Sequence, residues 1–399
     1  MKLFTRMAAL VLAGTLSLCL LTGCQNQAGS SSSSADNVPE VVDVATINDI
    51  CLYLSGLNAD EVVAKGEDIQ LTAGELMYWI AINCDSMRSY YYYYYGMDQL
   101  PWDASDGEGE ITMSDFVLDE SMKYAAIQRL VATKGGQEGF APTQENMDGI
   151  QAAVDTMQAE ASAAGTSLQT LLFQQGLTED LFRWNCESDY IYETLSLAKF
   201  GPDSPNPPTE ESIIALREAQ GEYKVKHILL ATVDTTTREP LDEKTAAEKK
   251  ATAEKLLADL RASSDPVTLF DEYMNTYSED PGLATNPDGY IFTANTSVDP
   301  AFEEAALALE YGQISELVEG VSGYHIILRL PLGISLEEDA QVYINTKMSQ
   351  LTDEWLEQAD IKTTKSFDKL NAQTIYERLI AYRDAVAAPT NSTENQPQQ

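Results

Sequence analysis

The chain holds two histidines, and both fall inside apolar runs: His227 in Val225-Lys226-His227-Ile228-Leu229-Leu230 and His325 in Ser322-Gly323-Tyr324-His325-Ile326-Ile327-Leu328. An imidazole changes charge near neutral pH, and when neutral it donates from one ring nitrogen and accepts at the other. A single strand histidine is ordinarily a satisfied core residue. Two at matching places in runs that can pair within one central sheet predict a shared hydrogen-bond network. Metal chemistry has no comparable support, and neither a metal nor a cofactor is expected. Cys19, Cys24, Cys51, Cys84 and Cys186 form no CxxC and no Cys/His ligand spacing. Cys51, Cys84 and Cys186 read as buried thiols by default, with a Cys84–Cys186 bridge left open.

A different chemistry falls on Cys24. Lys2 and Arg6 flank an apolar stretch over 8–21, too short for a spanning helix of about 20 apolar residues. Residues 1–23 therefore read as a signal segment removed on export. They end in Leu21-Thr22-Gly23-Cys24, which resembles the lipobox of bacterial lipoproteins, where the thiol after the cut accepts a diacylglycerol. One acyl chain binds a membrane marginally and two hold it stably, so a lipid on Cys24 predicts anchoring at the outer face of the cell membrane. The Ser-rich stretch 24–45 reads as a flexible tether. Loss of 1–23 removes two bases and no acid, which moves the net charge from −38 to −40. Such a surface keeps an exported protein soluble and makes nucleic acid and anionic lipid poor partners. Attraction of basic unfolded secretory chains or of cell-wall cations is the sharper alternative.

About 375 residues remain, enough for two or three domains. Thr72 precedes a helical pattern with Glu75 at capping-box spacing, and short strands over 62–65 and 69–71 come before it. Helical spacing recurs over 113–134, 144–164, 168–175 and 179–200, so a mostly helical N-terminal domain is expected over 46–208. The proline-rich stretch 201–208 cannot continue a helix and marks a boundary. After a helix over 209–219, the texture changes to strands (223–231, 289–292, 323–330) and helices (244–263, 267–277, 300–309), an α+β domain over 221–332. Helical spacing returns over 336–358 and 367–387, within a segment 333–387 expected to pack on the N-terminal domain, and 388–399 reads as a disordered tail. The fold class is therefore α+β.

Within the α+β domain, Lys226-His227-Ile228-Leu229-Leu230, Tyr277-Ser278-Glu279-Asp280, Ala301-Phe302-Glu303-Glu304-Ala305-Ala306, Gly312-Gln313-Ile314-Ser315 and Gly323-Tyr324-His325-Ile326-Ile327 follow in order the signature segments of another group. They resemble the parvulin-type peptidyl-prolyl cis-trans isomerases. With the lipobox and the helical flanks, the layout resembles the PrsA-type extracytoplasmic foldases, relatives of the chaperone SurA. The resemblance implies a parvulin (FKBP-like) antiparallel sheet with helices, inserted in a SurA-like helical domain. It implies that His227 and His325 are the paired inner histidines, that Asp280 stands where relatives carry Cys or Asp, and that Ser322 joins their network. Ile291, Val298 and Phe302 would form the proline-binding floor, with Phe292 beside it. Two departures are visible: a reduced glycine pattern in Asp288-Gly289-Tyr290-Ile291-Phe292, and Val298 in place of a methionine. Arg238 is the sole base over 232–240, so phosphoserine specificity is not expected.

The resemblance implies isomerisation of X-Pro bonds in unfolded or partly folded exported polypeptides, with no covalent intermediate. A homodimer is one candidate assembly. A holdase with a degenerate parvulin unit is the alternative, and the helix-rich N-terminal half speaks against a two-lobed solute-binding lipoprotein. One motif stays outside these readings. Tyr90 to Tyr95 is an unbroken run of tyrosines, which on a helix surrounds the whole circumference; it either binds peptides or fills a seam between domains.

Overall fold

The computed structural model describes residues 42–104, 111–295 and 299–388. Cys24 with the signal segment, the tether up to residue 41, Val298 and the tail from 389 lie outside the described residues. In chain order, α1 (Ile50–Ser55) and the hairpin β1 (Val62–Gly66) and β2 (Ile69–Thr72) lead into α2 (Ala73–Tyr95), α3 (Met113–Gln137), α4 (Gln144–Ala163), α5 (Leu168–Phe173) and α6 (Glu179–Phe200). There follow α7 (Glu210–Ala219), β3 (Glu222–Ala231), α8 (Glu243–Ala262), α9 (Pro266–Tyr277), β4 (Tyr290–Thr293), α10 (Pro300–Leu307), β5 (Val318–Gly320) and β6 (Gly323–Leu330). The chain closes with α11 (Leu336–Ala359), β7 (Lys362–Thr363) and α12 (Ala372–Ala387). The class is α+β, helices with two antiparallel sheets. Among the described residues no helix is long and apolar enough to cross a membrane.

Contacts divide the chain into two units, Met1–Ser204 with Asn345–Gln399, and Pro205–Ile344. The first is assembled from both ends of the sequence. Thr72 caps α2 in a capping box with Glu75, which satisfies two of the amide donors that a helix start leaves unpaired. Buried Glu75 also meets Arg129 of α3, and Trp79 and Asn83 of α2 hydrogen-bond Gln128 and Ser121 of α3 at 3.0 and 2.8 Å. From the C-terminal end, β7 adds to β1 to complete a three-stranded sheet of order β2-β1-β7. Arg383 of α12 forms a two-pronged pair with Asp85 of α2 at 2.8 Å on each arm and donates to the Gln174 carbonyl at 2.7 Å. Cys51, Cys84 and Cys186 are buried free thiols of this unit. The helix expected over 367–387 is interrupted: Phe367–Lys369 forms a 3-10 turn, and α12 starts only after Asn371, whose side chain accepts from Thr374 N. Asparagine here caps rather than continues a helix, because its amide oxygen offers the backbone a local acceptor.

The second unit is a four-stranded antiparallel sheet of order β4-β3-β6-β5. One face packs Ile228, Leu230, Ile326 and Leu328 against Leu256 and Leu260 of α8 and Phe270 and Met274 of α9. The other packs Tyr223, Val225 and Ile327 against Phe302 and Ala306 of α10. Central strands covered on both faces have no reason to alternate polar with apolar, which accounts for the continuous runs around both histidines. β5 and β7, three and two residues long, are too short to show a period and were not anticipated.

Candidate active site

The register of the two central strands decides where the histidines meet. His227 lies opposite Ile327, and His325 opposite Leu229. With a side-chain period of two, all four residues share one face, and the histidines are diagonal neighbours across the strand pair. Their rings lie 5.4 Å apart, inclined by 28°, with the two Nδ1 atoms at 3.2 Å. Both are buried.

Asp280 reaches this pair because β4 covers only residues 222–225 of β3. Along the remaining edge, Ser278 Oγ accepts from Leu229 N at 3.1 Å, Glu279 N donates to the Leu229 carbonyl at 2.8 Å, and Glu279 accepts from Ala231 N at 2.8 Å. The segment following α9 is thereby stitched to the strand, and Asp280 Oδ2 comes to 3.2 Å from His227 Nε2. Gly282 N donates to Asp280 Oδ1 at 3.1 Å, and the Tyr290 hydroxyl donates to Oδ2. Burial raises the Asp280 pKa, but the bonds from His227 and Tyr290, the His227 charge and the Gly282 amide outweigh it, and the carboxyl titrates at about 2. Burial raises the Tyr290 phenol, and the carboxylate it bonds raises it further. His325 is pushed down to about 4, first by burial and then by the His227 charge, against the opposing pull of Asp299 and Asp280.

These states assign the protons. An ionised carboxylate only accepts, so His227 Nε2 carries the hydrogen facing Asp280. In a neutral His227, Nδ1 is then the acceptor, and His325 donates to it from Nδ1. The chain runs from His325 through His227 to a carboxylate that Tyr290 holds from the other side.

Aromatic side chains close the face. Phe302 stands edge-on to both imidazoles, at 5.3 and 5.2 Å from His227 and His325. Phe292 stacks on Tyr290 at 5.6 Å and meets Phe302 at 6.1 Å. Gly289 sets the entry to β4: its φ is +93°, and a Cβ there would lie 2.5 Å from the Val225 carbonyl oxygen. Asp299 holds the start of α10, accepting from Ala301 N at 2.9 Å, and also accepts from Val321 N of the β5–β6 turn at 2.6 Å. Gly320 makes room for it, since a Cβ there would sit 2.7 Å from Asp299 Oδ2 and 3.3 Å from His325 Cδ2.

Of the residues expected here, His227, His325, Asp280, Phe292 and Phe302 come together. Ile291 does not: alternation on β4 turns it away from Tyr290 and Phe292, and it is 46% exposed. Ser322 enters through its backbone, its carbonyl accepting from Thr232 N at 3.0 Å; the polar neighbour of the pair is Asp280, on which the Tyr290 hydroxyl also bonds. Val298 lies outside the described residues. Tyr290 was assigned no role from sequence, although its place two residues before Phe292 already put both rings on one face.

A family model for the PPIC-type PPIase domain, a rotamase, matches residues 227–330. The segment is a parvulin-type peptidyl-prolyl isomerase domain. Both histidines of the parvulin domain fall within the match, as do Asp280 and the aromatic residues around them. The chain is 27% identical over 248 residues to the foldase protein PrsA of Halalkalibacterium halodurans, covering 60% of this chain and 68% of that one. It is 31% identical over 159 residues to the PrsA of Staphylococcus aureus, covering 39% and 44%. The crystal structure of a peptidylprolyl isomerase (PrsA) from Bacillus cereus aligns over 69% of this chain and 97% of that one at 22% identity, with a TM-score of 0.28.

Proposed function

We propose that this chain is a PrsA-type foldase, held by a lipid on Cys24 at the extracytoplasmic face of the membrane, which turns X-Pro bonds of exported polypeptides between cis and trans. The observation that carries the reading is the buried imidazole pair, closed by Asp280 at one side and by Phe302 across both rings. The likeness to PrsA foldases supports the wider role, and the Leu21-Thr22-Gly23-Cys24 motif supports the anchor.

The reaction breaks no bond. Its barrier of about 18–20 kcal/mol is amide resonance, which the planar forms enjoy and the twisted transition state lacks. The planar amide is the more dipolar form and is therefore the better solvated by water. A dry site walled by Phe302, Phe292 and the two imidazoles removes that solvation, and so favours the twisted amide over the planar one. The fixed protons on the histidines add oriented donors and acceptors that need no rearrangement during the turn.

The test is cis-to-trans relaxation of a short uncharged proline peptide, with urea denaturation confirming that each variant folds. The parent should accelerate relaxation, and His227→Ala and Asp280→Ala should lower kcat/KM by about tenfold or more, because misplacing the pair by an ångström is enough. A parent that does not accelerate at all would leave a holdase in which the parvulin domain only binds.

A further inference from the structure

The tyrosine run is not absorbed by the isomerase site. Helix α2 is buried along most of its length, but after Tyr91, 5% exposed, its last residues leave the core: Tyr92, Tyr93, Tyr94 and Tyr95 are 54 to 81% exposed, and Met97 beyond them is 39% exposed. The rings do not splay. Tyr93 meets Tyr94 at 4.9 Å, Tyr94 meets Tyr90 at 4.6 Å, and Tyr95 lies 6.1 Å from Tyr90 and 5.5 Å from buried Tyr91. Five rings thus form one connected cluster, fixed to the fold through Tyr91. Gly96 ends the helix in a left-handed turn whose N–H bonds the Tyr91 and Tyr92 carbonyls, so the platform stands on a closed helix end and little order has to be gained when something binds it.

The electrostatic setting selects the occupant. Aromatic faces are negative and attract ammonium and guanidinium groups, and the C-terminal end of a helix carries the negative pole of its dipole. Asp98 and Asp103 are exposed just beyond the rings. Among the described residues 96–104 these two are the acids, and there is no base. The sole base of α2, Arg88, is tied to the Asp98 carbonyl at 2.9 Å. The whole chain carries a net charge of −38, which opposes a second copy or an anionic lipid surface on this patch.

We propose that Tyr90–Tyr95 is a docking platform for extended, lysine- or arginine-bearing polypeptide segments, held by cation–π contacts on rings that already pack against one another, tilted or edge to face. Alternate side chains of an extended chain lie about 7 Å apart, so successive ones meet different rings of a cluster whose neighbours are 4.6 to 6.1 Å apart. The proposal rests on the foldase reading only for the source of such segments, which are stretches of exported chains before they fold. It concerns binding, remote in sequence from the parvulin site.

The test uses the full chain and a labelled, proline-free peptide of alternating Lys and Ala, with a Glu/Ala peptide as control, read by fluorescence anisotropy. The Lys peptide should bind and the Glu peptide should not. Tyr93→Ser with Tyr94→Ser should weaken binding about tenfold, as should Tyr93→Leu with Tyr94→Leu, while the paired Phe substitutions keep it. Leu variants that bind as well as the parent would show generic apolar contact and overturn the proposal. So would Ser variants that bind unchanged, equal binding of both peptides, or a parent that self-associates through this face in sedimentation while the Ser variant does not. The same variants should relax the uncharged proline peptide at the parent rate, so failure of isomerase activity and failure of this platform are read separately.

Discussion

His325 is the residue whose chemistry the fold changes most. In water an imidazole takes up a proton near pH 6.5, whereas His325 resists until about pH 4 because its ring is buried beside a second imidazole. Its folded pKa is depressed, so the unfolded chain binds the extra proton first. Stability is therefore full above about pH 6.5 and falls as pH drops towards 4, by a loss on the order of 3 kcal/mol. Asp280, depressed from 3.8 to about 2, adds a second loss of the same sign at lower pH, present above its ordinary value and gone once the folded carboxyl protonates. Urea midpoints at pH 7.5 and 4.5 measure the first window. His325→Gln, which has nothing to titrate there, should lower stability but flatten its pH slope; an unaltered slope would place the proton uptake elsewhere. At this scale sequence reading was strong where residue type is scarce and weak where it is common. Two histidines in 399 residues announce themselves, but Tyr290 is one tyrosine of twenty, and only its hydroxyl on Asp280 sets it apart.

Among the elements, α10 and the β5–β6 turn depend on one side chain. Asp299 caps the helix that carries Phe302 and also holds Val321 N beside His325. Asp299→Ala removes both acceptor roles and should cost about 1–2 kcal/mol, while Asp299→Asn, an equally good cap, should keep most of it. Denaturant midpoints compare the two, and equal losses from both would mean the charge, not the cap, is what matters. The same scale explains Ile291. An apolar residue in a short strand next to Phe292 looks like part of a hydrophobic floor. Which face it takes depends on the register Tyr290↔Val225 and Phe292↔Tyr223, and a one-residue choice of register turns every side chain over.

For the whole molecule, the first unit needs both ends of the chain and the second does not. β7 and α12 supply a sheet strand and the Arg383–Asp85 pair to elements that lie roughly 300 residues earlier. A chain ending after Asp360 should lose the cooperative structure of the first unit, and Cys51, Cys84 and Cys186, buried in the intact unit, should become reactive to a thiol reagent without denaturant. The two imidazole proton resonances, both from the second unit, should remain dispersed. Their collapse in the truncated chain would show that the two units do not hold separately. Helix type and order were legible from spacing and caps, as at Thr72 and Glu75, because those signals are local. The return of 362–363 to pair with 64–65 was not legible, since two residues carry no period.

What the sequence by itself determined is the set of parts: scarce histidines in apolar runs, an ordered series of parvulin segments, helices with their caps and a strongly acidic surface. All of these follow from residue type and short-range spacing. Tertiary structure decided which parts touch. The diagonal placement of His227 and His325, the stitching of Ser278–Asp280 along an uncovered strand edge and the outward turn of Ile291 arise from register and packing between residues far apart in the chain, to which no local pattern is sensitive.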